Sequence, residues 1–218
     1  MGLKRYLLIL SLIGLLVIAG CDGGSDDSYE EKPWLYVSVD AGSGGYARAY
    51  LKYSGDYIAN AIFINGVLNN PDKIEKIPGL EPGSEVRLMA AHTSIGIIER
   101  TLTVPATVTD LSCDGGDEAL EAWMRREKPT LTLTFNNGDA DYYIVHVNRS
   151  GTGGMDWRSS PIIIDKAESD ILLPEGTDSV SISVRGVNYT DFDDPKLSFG
   201  SQFSVEGFRS EPLTLVKD

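Results

Sequence analysis

The sequence predicts an all-β protein in which two β-sandwich modules stand in tandem, joined by one short helix. Three observations carry this reading. Short segments rich in branched and aromatic residues recur through residues 33–109, separated by Gly- and Pro-bearing turns, which is the pattern of a sandwich. The same plan recurs through residues 129–218. Between the two halves, in residues 110–128, a single stretch carries helical periodicity instead.

The first module opens with Trp34–Val39 and Tyr46–Tyr53, both dense in strand-forming residues. Asn60–Asn65 follows and ends at Asn65-Gly66, a pair suited to a tight hairpin because both residues tolerate positive φ. Pro82-Gly83 makes the next turn and leads into a strand in which Val86, Leu88 and Ala90 alternate onto one face. Ile97–Val104 closes the module and is stopped by Pro105. In the second module Thr130–Phe135 alternates cleanly and ends at the turn Asn136-Asn137-Gly138, with Asp141–Val147 as its neighbour. Leu172–Val184 echoes the stretch from Leu80 to Leu88, a Pro/Gly turn running into an alternating strand, and Phe199–Val205 and Leu213–Val216 supply the last strands.

The helix is expected over Asp117–Glu127. Acid at its start and Arg125-Arg126 near its end match the helix dipole, and Pro129 stops it. Leu120, Trp123 and Met124 share one face, which is expected to settle in the groove between the sandwiches. The alternative is a partner-binding helix with Trp123 as its anchor.

Two segments, Leu80-Glu-Pro-Gly-Ser-Glu-Val86 and Arg100-Thr-Leu-Thr-Val-Pro105, resemble bacterial immunoglobulin-like or fibronectin type III-like modules. The resemblance implies immunoglobulin-like sandwiches and no particular activity.

The N-terminus carries a different signal. Lys4 and Arg5 precede an apolar run from Tyr6 to Ile18, shorter than the ~20 residues a membrane span requires. This is the layout of a cleaved export signal. Its ending, Ile18-Ala19-Gly20-Cys21, resembles the lipobox of bacterial lipoprotein signal peptides; the alternative is an ordinary secretory signal with Cys21 near the cut. The resemblance implies that residues 1–20 are removed, that Cys21 receives diacylglycerol on its sulfur, and that a fatty acid such as palmitate is added to the new amine. Two or three chains hold a protein stably at a membrane, so the protein is expected on the exported side of a bacterial envelope, in the periplasmic space. Asp22 resembles the signal that retains such proteins in the inner membrane, which places the inner membrane ahead of the outer. Residues 21–32, rich in Gly, Ser and acid, then form a flexible acidic tether.

Charge narrows the partners. The chain has 19 basic and 32 acidic residues, a net charge of −13, and losing Lys4 and Arg5 with the signal leaves 17 against 32, or −15. A balance this acidic excludes binding to a phosphate backbone, so no nucleic acid partner is expected.

Chemical motifs are sparse. With Cys21 assigned to lipid, Cys113 is left alone among Asp110, Asp114, Asp117 and Glu118, charges that disfavour a thiolate, and it reads as a packed thiol. Asp110–Glu121 has the spacing of an EF-hand loop: oxygens at positions 1, 3 and 5, glycine at 6 and acid at 12. Asp117 replaces the apolar residue normally at position 8, and no helix precedes the loop, so the segment reads as a solvated acidic linker and no metal is expected. His92 and His146 fall within strands as structural histidines. Gly42–Gly45 and Gly151–Gly154 read as mobile loops without a following helix to make a phosphate site. Asp191–Pro195 reads as an exposed acidic loop. Tyr142, Tyr143, Trp157 and Tyr189 are candidates for a glycan platform, with core and rim packing as the competing role. No catalytic residue and no cofactor is assigned. The expectation is a non-enzymatic, membrane-anchored binding or scaffolding lipoprotein with a protein partner; glycan binding is the alternative, and an enzyme of unidentified class stands third.

Overall fold

The computed structural model describes residues 32–218 except 55, 58–60, 71–72, 137–138, 149–154, 158–160, 165–178 and 217–218. The expected export signal, Cys21, most of the expected tether, Gly151–Gly154 and the beginning of the Leu172–Val184 segment lie outside the described residues.

The first half forms β1 (Trp34–Asp40), β2 (Tyr46–Tyr53), β3 (Asp56–Tyr57), β4 (Ala61–Ile64), β5 (Val67–Asn69), β6 (Glu75–Lys76), β7 (Glu85–His92) and β8 (Gly96–Thr103). After it come β9 (Thr109–Cys113), helix α1 (Gly116–Met124), β10 (Leu131–Asn136), β11 (Tyr142–Asn148), β12 (Met155–Trp157), β13 (Ile162–Ile164), β14 (Ser179–Asp191), β15 (Gln202–Glu206) and β16 (Leu213–Val216). Among the described residues the fold is all-β with one short helix, as the alternation predicts.

Two sandwich cores are present. In the first, Leu35, Val37 and Val39 of β1, Ala49 and Leu51 of β2 and Phe203 and Val205 of β15 face Ile62 and Ile64 of β4, Val86, Leu88 and Ala90 of β7 and Ile98 of β8. The period-2 pattern of each strand puts these residues inside and their polar neighbours outside. In the second, Leu131 and Leu133 of β10 and Ile162 and Ile164 of β13 face Tyr143, Val145 and Val147 of β11 and Val180, Ile182 and Val184 of β14. The four-stranded sheet β5-β4-β7-β8 closes the first core and the three-stranded sheet β13-β10-β9 closes the second. A single nine-stranded sheet, with the path β12-β11-β14-β15-β1-β2-β3, covers both.

That shared sheet exists because β14 is 13 residues long. Its first part pairs with β16 through Ser179↔Val216 to Ile182↔Leu213, and its last part pairs with β15 through Val187↔Glu206 to Asp191↔Gln202. Between them the returning chain stays bonded to β14: Gly207 N–H donates to Gly186 O at 2.9 Å, and Ser210 N–H to Val184 O at 2.8 Å. β15 then runs parallel to β1. The first core is therefore completed by Phe192, Leu197, Phe203 and Val205, residues that follow most of the second module in sequence. The division expected at 110–128 separates two stretches of chain, but the packing boundary runs through β14.

Gly186 marks that crossing. A Cβ there would stand 2.7 Å from Ala140 Cβ and 3.0 Å from Pro105 Cβ, so glycine is required for close approach. Pro105 itself is buried at the junction, between Val104 in the first core and Val108 in the second. Asn188, on the same face of β14 as Gly186, donates from Nδ2 to Thr103 O at 2.9 Å and so ties β14 to β8.

Three expectations change. The helical face of Leu120, Trp123 and Met124 enters the second core and not a groove between modules; Trp123 is 1% exposed, which removes it as a partner anchor. Residues 109–113 form strand β9 on β10, with Ser112↔Thr134 and Cys113↔Leu133, where a solvated linker was expected. Gly42–Gly45 is a locked turn: Ser43 N–H and Oγ–H both donate to Asp40, and Ile77 N–H donates to Gly45 O. The expected hairpin at Asn65-Gly66 has the anticipated geometry, with φ of 48° and 78°.

Truncating Phe203 to alanine should cost about 3–5 kcal/mol, the usual range for a fully buried phenylalanine. Because Phe203 pairs with Val37 across β1 and β15, hydrogen exchange should accelerate first in β1 and β2. Exchange confined to β14–β16 would show that the first module does not depend on this part of the chain.

Candidate functional site: the outer face of the nine-stranded sheet

With Leu35, Val37 and Val39 turned inward, Trp34, Tyr36, Ser38 and Asp40 of β1 stand on the opposite face. The register Tyr36↔Tyr50, Ser38↔Arg48 and Asp40↔Tyr46 sets the outward residues of β2 beside them. On the other side Ser204 and Glu206 of β15 lie next to Ser38 and Asp40. Arg185 and Tyr189 of β14, and Tyr142 and His146 of β11, continue the same face across the second core.

Aromatic rings gather at one part of it. Tyr36 and Tyr50 stack with ring centroids 5.0 Å apart and planes 19° from parallel, and Trp34 lies 5.8 Å from Tyr36 and 5.6 Å from Tyr50. Lys52 Nζ sits 5.1 Å from the Tyr50 centroid, within cation–π range. Beside this cluster is an open depression of about 370 Å³ lined by Tyr36, Ser38, Tyr46, Arg48, Arg185 and Glu206, among others.

Arg185 braces the face. Its Nη1 donates to Asp40 Oδ2 at 3.1 Å and its Nη2 pairs with Glu206. The side chain is only 12% exposed, so this double pairing links β14, β15 and β1 in a partly dry setting where a charge needs its partners. His146 lies nearby, its Nε2 buried without a hydrogen-bond partner among the described residues. Burial lowers its pKa to about 4, assisted by the positive charges of Arg185 and Arg209 and opposed by Asp40. It is neutral at pH 7.

The other candidates fall elsewhere. His92 sits at the β7–β8 turn, where Ser94 N–H donates to its Nδ1 at 3.1 Å; burial lowers its pKa. Cys113 is half-buried, its thiol donates to Gly116 O at 2.9 Å, and burial followed by the charge of Asp117 pushes its pKa up. In the Asp110–Glu121 stretch, Asp110 accepts from Asn136 Nδ2 and the Ser112 hydroxyl lies 2.8 Å from Thr134 Oγ1. Both side chains are thus engaged with β10. Among the described residues no three His, Cys, Asp or Glu side chains converge as metal ligands. Asp191 accepts from the Tyr189 hydroxyl, which with burial pushes the Tyr189 pKa up to about 12, and Asp194 accepts from Lys196 N–H.

Of the four aromatics proposed as a platform, Tyr142 and Tyr189 do meet on the outer face, edge to ring at 6.3 Å. Tyr143 is 2% exposed and packs on Phe135 in the second core at 4.9 Å. The side chain of Trp157 lies outside the described residues. The larger cluster, Trp34–Tyr36–Tyr50, was not anticipated. Its signal was legible as Trp34 and Tyr36 two residues apart on one strand and Tyr50 on the next, but only the β1–β2 register brings them together.

No family model matches this chain, and no curated protein does. Among solved structures it is similar to the central fibronectin-III array of RIM-binding protein, at 13% identity, with 89% of this chain and 67% of that chain covered and a TM-score of 0.29.

The low pKa of His146 fixes a pH dependence. Its folded-state value lies below its ordinary one of 6.5, so the unfolded chain binds the extra proton first and stability is lost as pH falls from about 6.5 to about 4. His92 acts in the same direction. Urea midpoints measured at pH 7 and pH 4.5 should differ less for His146→Gln than for the parent; equal differences would show that His146 does not carry this linkage.

Proposed function

We propose that the protein is a lipid-anchored, non-catalytic module of a bacterial cell envelope that binds or scaffolds a protein partner through the outer face of the nine-stranded sheet. One observation carries the binding reading: this face is continuous over both cores, braced by Arg185, and presents Trp34, Tyr36, Tyr46, Tyr50 and Arg48 together. Tyr, Trp and Arg are the residues that dominate the energetics of protein interfaces. A rigid sheet presents them at small entropic cost.

The non-catalytic reading draws on the same geometry. Asp40 and Glu206 are committed to Arg185, and His146 is neutral with no hydrogen-bond partner on its Nε2 among the described residues. The anchor reading draws on Ile18-Ala19-Gly20-Cys21, and Asp22 favours the inner membrane. No helix among the described residues is long and apolar enough to cross a membrane.

A second reading has its own observation. The stacked Tyr36–Tyr50 pair beside a hydroxyl-lined depression is a surface on which a sugar ring could lie, with Ser38 and Arg48 in reach of its hydroxyls.

The partner is tested by placing a photo-crosslinking residue at Arg48 in the native envelope. A discrete protein adduct that Tyr46→Ala weakens supports the first reading. Retention on envelope polysaccharide that Tyr36→Ala abolishes, with no protein adduct, transfers the assignment to glycan binding. The anchor is tested separately: Cys21→Ser should lose incorporation of an alkynyl fatty acid and leave the membrane fraction, and unchanged labelling would exclude Cys21 as the lipid site.

A further inference from the structure

We infer that the end of the first module around Phe199 rests on the bilayer that holds the lipid anchor. The inference rests on the anchor reading of Cys21 and adds to it an orientation and a second membrane contact.

Phe199 is 104% exposed, the most exposed large hydrophobic residue among those described. It is held outward by a rigid loop. On either side of it Leu197 is 5% exposed and Ser201 1% exposed. Trp34 Nε1–H donates to Gly200 O at 2.7 Å, Ser198 N–H to Pro33 O at 2.8 Å, and the Ser201 hydroxyl to Ser198 O at 2.8 Å. Gly200 has a φ of 82°, which supports the sharp turn. A loop so restrained cannot fold its phenylalanine back onto the core, so the ring stays in contact with whatever lies outside.

The same bonds fix where that ring lies. Ser198 also donates from its hydroxyl to Lys32 O, so Phe199 stands beside the first described residues of the chain. Lys32 is eleven residues after Cys21. Eleven residues reach at most ~40 Å when fully extended. A lipid on Cys21 therefore keeps this end of the module, and Phe199 with it, within ~40 Å of the bilayer.

The surroundings suit an interface. Trp34 and Tyr53, with Lys52 opposite Trp34 in the β1–β2 register, lie at this end, and Trp, Tyr and Lys are the side chains that settle where lipid headgroups meet water.

The test uses the full lipidated chain in vesicles of phosphatidylethanolamine and phosphatidylglycerol, with and without brominated acyl chains, and mass spectrometry to read the lipid on Cys21. Phe199→Trp should gain emission that bromolipid quenches beyond the quenching of the parent, and Phe199→Asp should reduce the quenching seen in the parent. Quenching of Phe199→Trp no greater than the parent, with lipid present on Cys21, overturns the docking and leaves the anchor standing. Absence of lipid on Cys21 overturns both. If the emission gained by Phe199→Trp is shielded from aqueous iodide yet unquenched by bromolipid, a protein surface such as a second copy covers the site, and the bilayer is overturned as occupant.

Discussion

The continuity of β14 is the constraint on which the rest of the structure depends. One strand of thirteen residues gives Val180, Ile182 and Val184 to the second core, passes the junction at Gly186, and then pairs with β15 so that Phe203 and Val205 fill the first. A strand fixes its residues at about 3.3 Å intervals on alternating faces, so the two cores cannot rotate or slide independently while that strand stays paired. The close packing of Gly186 on Pro105 and Ala140 holds the crossing dry and tight. Tandem modules joined by a free linker move relative to one another by default; here Val104, Pro105 and Val108 of the linker are themselves buried at the junction.

That rigidity gives the outer face its meaning. Because one sheet spans both cores, residues as distant in sequence as Asp40 and Arg185 meet at 3.1 Å, and the aromatic cluster of β1 and β2 shares a surface with Tyr142 and Tyr189. The Arg185 pairs are partly desolvated, so their value lies as much in fixing register among β14, β15 and β1 as in net stability. His146 takes no part in that bracing at neutral pH: uncharged beside Arg185, it adds no repulsion.

Much of the fold was legible as strands, and the reasons are local. Thr130–Phe135 and Val86–Ala90 alternate because each has one wet and one dry face, and Asn65-Gly66 turns because both residues accept positive φ. The continuation of β14 past Val184 was not legible. Its inner face there carries Gly186 and Asn188, and a glycine demanded by Pro105 and an asparagine satisfied by Thr103 break the apolar alternation that marks a strand. β9 was hidden for a related reason: its polar residues hydrogen-bond across to β10, as Ser112 does to Thr134, so Asp110–Glu121 read as a chelating or solvated loop.

The sequence by itself determined the all-β class, the helix with Leu120, Trp123 and Met124 on its buried face and the acidic charge, because each depends on short-range pattern or composition. Only the tertiary structure decided that the last strands complete the first core, that the helix seals the second, and that Trp34, Tyr36 and Tyr50 form one cluster. Those outcomes depend on which strands pair and in what register. Backbone hydrogen bonds are alike at every residue, so the choice of partner is made by the fit of whole faces, and that fit is a property of the assembled cores.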